Sequence, residues 1–170
     1  MCTPALAIDL VISSGKDDVW LVRRKDTSQL AVMGGFVQVG ETVEQAVRRE
    51  LKEEMGIDLI IPPQLLGIYS DPRRDNRRHT VSSVFVVHLD GLETPVAADD
   101  VKEVKRIPLA DIEKNTYFAD HMTILLDYRN SLQQSATARV LGPSEGDFAV
   151  DVQRSVCGAD SLPIQPIYPQ

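Results

Sequence analysis

One stretch, residues 34–57, constrains the fold of this chain more than any other, because a glycine-rich loop leads there into a helix crowded with glutamates. Thr42 is a good N-cap, and Gln45, three residues later, completes a capping box. Gly56 is suited to end the helix. The sequence therefore predicts a helix over 43–55 with both ends defined.

The helical phase of the glutamates turns part of them toward the interior. At about 100° per residue, Glu50 and Glu54 fall in the same arc as the apolar residues, with Glu53 at its edge. Composition alone would place such a helix at the solvated surface. Buried carboxylates four residues apart need positive charge between them. We expect it from Arg49 and from a divalent cation, since hard oxygen ligands suit Mg²⁺ or Mn²⁺.

The spacing of this stretch also resembles a known signature. The nine specified positions are Gly35, Glu41, Arg49, Glu50, Leu51, Glu53, Glu54, Gly56 and Ile57. On these positions the chain is identified as a member of the Nudix hydrolases. The resemblance implies an α/β fold, a Nudix-type α/β/α sandwich with a mixed sheet between helices. It also implies hydrolysis of a nucleoside diphosphate linked to another group, with one to three divalent cations held against the diphosphate.

The metal site and the catalytic residues are predicted within the same stretch. We expect Glu50, Glu53 and Glu54 to bind Mg²⁺ or Mn²⁺, and the resemblance adds the backbone carbonyl of Gly34. The predicted catalytic residues are Glu50, Glu53 and Arg49, with Arg49 orienting the acids through charge-assisted hydrogen bonds. Bound cations would neutralise the diphosphate and lower the pKa of a bound water.

The group that takes the proton of the attacking water has two alternatives by resemblance. In some relatives the glutamate at the position of Glu50 is the base, and in others an acid on a downstream loop. Asp99, Asp100 and Glu103 are the candidates for the second arrangement. The sequence leaves both open.

A second stretch, residues 70–79, has four arginines within six positions in a chain of net charge −7. It lies between two predicted strands, so it is expected to be a loop that presents binding groups. With Pro72 sixteen residues beyond Gly56, it resembles the corresponding run in short ADP-ribose pyrophosphatases. Asn76 and Arg78 depart from that run, where the relatives have proline and glycine. The predicted substrate-binding residues are Arg73, Arg74, Arg77 and His79.

The predicted function is therefore divalent-metal-dependent cleavage of ADP-ribose to AMP and ribose 5-phosphate. The extra positive charge of the loop leaves longer polyphosphates open as substrates. The alternative enzymatic function is hydrolysis of dinucleoside polyphosphates, nucleotide sugars or nucleoside triphosphates. A further alternative is a non-catalytic sensor that binds ADP-ribose, as in transcriptional regulators that resemble this branch. The signature is intact, and the roughly 35 residues after Ser135 are too few and too proline-rich for a DNA-binding domain.

One histidine is open to two interpretations. Residues 117–121 resemble a Phe-Asp-His segment of the same relatives, with Ala119 inserted. His121 at the end of this segment is either a site residue or a structural histidine at a helix start.

The remaining pattern predicts one domain over 1–135 and an extended or weakly structured extension over 136–170. Asp9 is the one charged residue in an otherwise apolar first strand. The predicted strands cover 5–12, 19–23, 65–70, 80–89 and 104–108, with an extended piece at 29–33, a helical turn at 109–112 and a second helix over 119–132.

Composition limits the partners. The acidic balance, with a pI near 4.9, argues against a general nucleic-acid binder. Cys2 and Cys157 are too few for a disulfide framework, and no apolar run reaches membrane-spanning length. We expect a cytoplasmic protein whose partner is a small nucleotide diphosphate, with no membrane contact. The resemblance allows a homodimer, although no sequence feature specifies an interface.

Overall fold

The computed structural model describes residues 3–15, 17–89, 101–133 and 139–141. The strands in these ranges are β1 Ala5–Ser13, β2 Asp18–Arg24, β3 Leu30–Ala31, β4 Met33–Phe36, β5 Gln64–Tyr69, β6 Thr80–His88, β7 Val101–Pro108 and β8 Arg139–Leu141. The helices are α1 Val43–Met55, a 3-10 helix Leu109–Lys114 and α2 His121–Ser131.

The strands form one mixed sheet in the order β3-β2-β1-β6-β5-β8, with β4 pairing to β1 and β7 pairing to β2. β1 and β6 run parallel through the centre of the sheet, and β5 and β8 are also parallel. The other pairings are antiparallel. A parallel pair needs a long crossover, which here includes α1.

Alternation along β1 divides the core into two layers. Ile8 and Leu10 pack with α1 on one face of the sheet. Val11, one position away, packs with α2 on the opposite face. The predicted α/β/α sandwich with a mixed sheet between helices is confirmed.

α1 has the predicted boundaries because its end signals are local. The Thr42 hydroxyl accepts a hydrogen bond from the Gln45 amide at 3.2 Å, and the Gln45 side chain accepts one from the Thr42 amide at 2.7 Å. Gly56 ends the helix with a left-handed φ of 70°, which favours glycine.

Elsewhere the elements differ from the prediction at their ends. The extended piece at 29–33 divides between β3 and β4, and the single turn at 109–112 continues as a 3-10 helix. α2 begins at His121, two residues later than predicted. Ala119 has a left-handed φ of 49°, which is incompatible with a right-handed helix, so the helix starts after it.

Part of the C-terminal extension lies in the sheet, since β8 pairs with β5. The boundary predicted at 135 stays a prediction, and the rest of 136–170 lies outside the described residues. No helix in the described part of the chain is long and apolar enough to cross a membrane.

Candidate active site

The three predicted metal-binding glutamates of α1 differ in how far they are exposed to solvent. Glu50 lies on the core side with 8% of its surface exposed. Glu54 is half-buried, and the side chain of Glu53 is 58% exposed. The three predicted metal-binding glutamates therefore extend from the core to the surface along one side of the helix.

Arg49 lies at the centre of this acidic cluster. Its Nη1 donates to Glu50 at 2.6 Å and to Glu53 at 3.1 Å. Its Nε and Nη2 donate to both carboxylate oxygens of Glu41, at 3.1 and 2.7 Å, and Nη2 also donates to the Phe36 carbonyl at 3.1 Å. Hydrogen bonds from Arg49, above all to Glu41, raise the pKa of the guanidinium further above its usual value. The guanidinium of Arg49 thus supplies positive charge to the carboxylates of Glu41, Glu50 and Glu53.

Glu41 connects the loop to the helix. Its Oε1 accepts a hydrogen bond from the Gln38 amide at 2.7 Å as well as the bond from Arg49. The hydrogen bond from Arg49 is the main reason that the pKa of Glu41 is lowered. Glu41 therefore fixes the glycine-rich loop against α1.

Gly34 and Gly35 lie in β4 and allow its backbone to approach neighbouring groups closely. A Cβ on Gly35 would collide with the carboxylate of Glu50, and one on Gly34 would collide with the Ile8 carbonyl. β4 pairs with β1 here, with Gly34 opposite Asp9. The backbone at Gly35 thus lies directly against the carboxylate of Glu50, and the backbone at Gly34 lies against β1.

These groups fit a divalent cation by their chemistry. Carboxylate and carbonyl oxygens are the ligands that Mg²⁺ and Mn²⁺ prefer. Among the described residues, no three His, Cys, Asp or Glu side chains stand in a metal-holding arrangement. In this geometry the carboxylates of Glu50 and Glu53 are turned to Nη1 of Arg49.

The arginine loop, residues 70–79, is ordered by its own aspartates. Arg73 pairs with Asp71 at 2.9 Å, and Arg77 pairs with Asp75 at 2.8 Å. In each pair the aspartate also accepts a backbone hydrogen bond from its arginine, at 2.8 and 3.0 Å. The hydrogen bonds from these arginine side chains lower the pKa of both aspartates.

Arg74 lies inside the protein, unlike Arg73 and Arg77. Its side chain is 4% exposed and is bound by Asp120 and Asp9. The sequence pattern predicted the loop but did not identify these two partners. An aspartate in an apolar strand, as at position 9, was the one signal that a buried cation would be needed.

His79 lies where the loop closes. Its Nε2 is 3.3 Å from the Ser70 carbonyl, and its own carbonyl accepts a hydrogen bond from the Ala5 amide at 3.0 Å. These contacts join the two ends of the loop to each other and to β1.

Two aromatic rings support the arginines, and sequence reasoning missed both. The guanidiniums of Arg24 and Arg77 lie 4.2 and 4.7 Å from the ring centroid of Phe118. Arg78 lies 4.7 Å from the ring centroid of Phe36, whose carbonyl accepts the bond from Arg49. The arginine loop therefore borders the acidic cluster through Phe36.

His121 has a structural role in this arrangement. Its Nδ1 accepts a hydrogen bond from the Val32 amide at 3.1 Å, so the ring proton is on Nε2, which is 3.9 Å from Asp9 Oδ1. Burial lowers the pKa of His121 and favours the neutral ring. Of the two interpretations, the geometry supports the structural one.

The candidates for the general base lie in different parts of the chain. Glu50 lies in the acidic cluster, whereas Glu103 lies on β7 and pairs with Arg23 at 3.3 Å. Asp99 and Asp100 lie outside the described residues.

Comparison with known proteins identifies the family. Residues 3–127 match the NUDIX domain. The chain belongs to the Nudix family. An ADP-ribose pyrophosphatase of Methanocaldococcus jannaschii is 44% identical over 131 residues, which are 74% of this chain and 73% of that protein. The predicted family and enzyme class, a pyrophosphohydrolase, are confirmed.

Solved Nudix structures share the fold. A bifunctional NMN adenylyltransferase/ADP ribose pyrophosphatase of Francisella tularensis, complexed with AMP and a Mn ion, superposes with a TM-score of 0.66 at 28% identity. The match covers 78% of this chain but only 42% of that protein. The NUDIX domain of Shewanella oneidensis NrtR, complexed with ADP ribose, gives 0.68 at 24% identity over 78% of this chain and 90% of that one, which shows the fold alone.

Proposed function

We propose that this Nudix protein hydrolyses the diphosphate linkage of ADP-ribose, giving AMP and ribose 5-phosphate, with the help of a divalent cation. The observation that supports this most directly is the contact between two regions: Phe36 joins the carboxylates around Arg49 to the arginine loop. The first region suits cations and the second suits phosphates. The choice of ADP-ribose is supported by the 44% identity to the archaeal ADP-ribose pyrophosphatase.

Glu50, Glu53, Glu54 and the carbonyl of Gly34 are the groups that would hold the cation. A Mg²⁺ or Mn²⁺ ion held there would neutralise phosphate charge and lower the pKa of a coordinated water. Arg49 holds the carboxylates of Glu50 and Glu53 in place through charge-assisted hydrogen bonds. We assign the general base to Glu50 rather than Glu103, because Glu50 lies within the acidic cluster, whereas Glu103 lies on β7 and pairs there with Arg23 of β2.

The substrate is proposed to bind along the arginine loop. Arg77 donates from Nε and Nη2 to Asp75, but its side chain is 52% exposed and its guanidinium lies over the ring of Phe118. An anionic ligand can therefore reach this guanidinium from the solvent. Arg73 and His79 complete the proposed binding set. The cytoplasmic location, the homodimer and the absence of a nucleic-acid partner stay predictions from the sequence.

The experiment is a substrate panel with purified full-length protein. ADP-ribose, an ADP-sugar, a diadenosine polyphosphate and nucleoside triphosphates are compared with Mg²⁺ or Mn²⁺, and product release is followed by chromatography. We expect AMP to form fastest from ADP-ribose, and EDTA to abolish turnover. Faster turnover of a polyphosphate or nucleotide sugar would overturn the substrate assignment. Binding of ADP-ribose without hydrolysis of any panel member would indicate the sensor instead.

A further inference from the structure

A buried aspartate lies beneath the site on β1. Asp9 is 8% exposed, and its Oδ2 accepts hydrogen bonds from the Ser82 hydroxyl at 2.7 Å and from Nη2 of Arg74 at 3.0 Å. Ser82 is itself buried on β6. Because an ionised carboxylate is costly in the core, Asp9 depends on Arg74 for its compensating charge.

Arg74 binds a second carboxylate at the same time. Its Nε and Nη2 donate to the two oxygens of Asp120, each at 2.9 Å. This two-pronged contact specifies direction as well as distance, which a lysine cannot reproduce. Arg74 thus ties the arginine loop to the start of α2 and to β1.

Both aspartates adjoin groups of the proposed site. Asp9 pairs with Gly34 across β1 and β4, and its Oδ1 lies 2.9 Å from the point that a Cβ on Gly34 would occupy. Asp120 lies between Phe118 and His121, whose rings pack edge to face at 5.5 Å. Phe118 supports the guanidinium of Arg77.

We propose that Arg74 is a positioning residue and not a substrate ligand. Held by Asp9 and Asp120, its guanidinium keeps the arginine loop and the start of α2 in a fixed position relative to the Gly34 backbone. The proposal rests on the function proposed above and makes it more specific. In this role, the buried guanidinium of Arg74 connects the proposed phosphate-binding side of the site to the proposed metal-binding side.

Exposure separates Arg74 from its neighbour on the same loop. The side chain of Arg77 is 52% exposed and that of Arg74 is 4% exposed. Both arginines donate from Nε and Nη2 to protein carboxylates, Arg77 to Asp75 and Arg74 to Asp9 and Asp120. Exposure is therefore the difference, because a substrate can reach the side chain of Arg77 but not that of Arg74. Loss of Arg74 is therefore expected to disturb the metal site even when no substrate is present.

The test measures Mn²⁺ binding to the full-length protein without substrate, by electron paramagnetic resonance, together with kcat and KM for ADP-ribose. We expect Arg74→Met to weaken Mn²⁺ binding by up to about tenfold, the lower end of the losses found for direct partners of metal ligands, because Arg74 acts on Gly34 only through Asp9. We also expect it to lower kcat as well as raise KM. Asp120→Asn breaks the same contact from the other side and should give the same pattern, which keeps the test valid if Arg74→Met does not fold.

Leu125→Ala is the control for stability, because Leu125 is a fully buried apolar residue of α2 that packs in the core. It should lower the melting temperature with Mn²⁺ affinity unchanged. A raised KM with wild-type Mn²⁺ affinity in Arg74→Met would make Arg74 a substrate ligand and overturn the proposal. An equal loss of Mn²⁺ affinity in Leu125→Ala would reduce the effect to general destabilisation and overturn it as well.

The outcome also separates this proposal from the proposed function. ADP-ribose turnover by the wild type with no change of Mn²⁺ affinity in the Arg74 and Asp120 variants refutes only the positioning role. If the wild type does not cleave ADP-ribose but both variants bind Mn²⁺ more weakly than the wild type, only the proposed function is refuted. A wild type that binds no Mn²⁺ refutes both.

Discussion

The acidic cluster on α1 and the arginine loop are both built from arginine and carboxylate groups, but in opposite proportions. In the first, Arg49 alone is shared by Glu41, Glu50 and Glu53. In the second, each of three arginines has an aspartate: Arg73 has Asp71, Arg77 has Asp75, and Arg74 has Asp120 together with Asp9. Negative charge is therefore in excess in one region and largely balanced in the other.

The difference shows that the count of charges in a stretch does not define its role. An excess of carboxylates around one arginine favours a further cation, which is what a metal site requires. Four arginines in six residues suggested a strongly positive surface, yet aspartates from the loop, β1 and the start of α2 neutralise most of it. Arg77 is paired with Asp75, but its side chain stays half-exposed, and for this reason we propose it for a phosphate contact.

The largest expected effect comes from removing negative charge from the acidic cluster. Glu54→Gln keeps the side-chain volume but removes the charge of a proposed metal ligand. We expect kcat/KM for ADP-ribose to fall by more than about 100-fold, beyond the loss typical of residues that only support metal ligands. Steady-state kinetics with Mg²⁺ and a thermal unfolding curve measure activity and folding.

Glu44→Gln is the matched control, because Glu44 is an exposed glutamate in the first turn of the same helix. It should retain wild-type kinetics. Substantial activity in Glu54→Gln would refute Glu54 as a metal ligand and make the excess of carboxylates incidental.

A smaller effect is expected from the arginine loop. Arg77→Ala removes one charge-assisted contact that we propose to the substrate, so we expect KM to rise about tenfold with kcat nearly unchanged. Arg129→Ala is the control and should leave both constants unchanged, because it removes only a pair between Arg129 of α2 and Glu113 of the 3-10 helix. An unaltered KM in Arg77→Ala would assign this arginine to loop stability alone.

The smallest effect concerns the pH dependence of stability. The hydrogen bond from Arg77 lowers the pKa of Asp75 in the folded state, so its contribution is present above the ordinary aspartate pKa and is lost as pH falls toward the lowered value. Below about pH 4 the wild type should therefore lose more unfolding free energy than Arg77→Ala, by less than about 1 kcal/mol since Arg77 is half-exposed. Urea unfolding at steps from pH 6 to pH 3 measures this difference. Equal slopes in the two proteins would show that the pair does not contribute.

Local signals were sufficient for much of the fold. α1 was predicted with its observed ends, because its capping box and terminal glycine act within one or two turns. The strands around it were predicted to within a few residues from their apolar runs. Ala119 was not predicted to adopt a left-handed conformation, and this shortened α2 at its start. Such a backbone conformation in a residue other than glycine is set by the surrounding packing.

The sequence by itself determined the acidic side of the site, because helical phase and fixed spacing place Glu50, Glu54 and Arg49 relative to one another without reference to the rest of the chain. Only the tertiary structure decided the state of the arginine loop. Arg74 meets Asp120, 46 positions away, and Asp9, 65 positions away. The parallel pairing of β1 with β6 and the packing of α2 bring those groups together. No local pattern encodes such contacts, since they depend on which strands become neighbours.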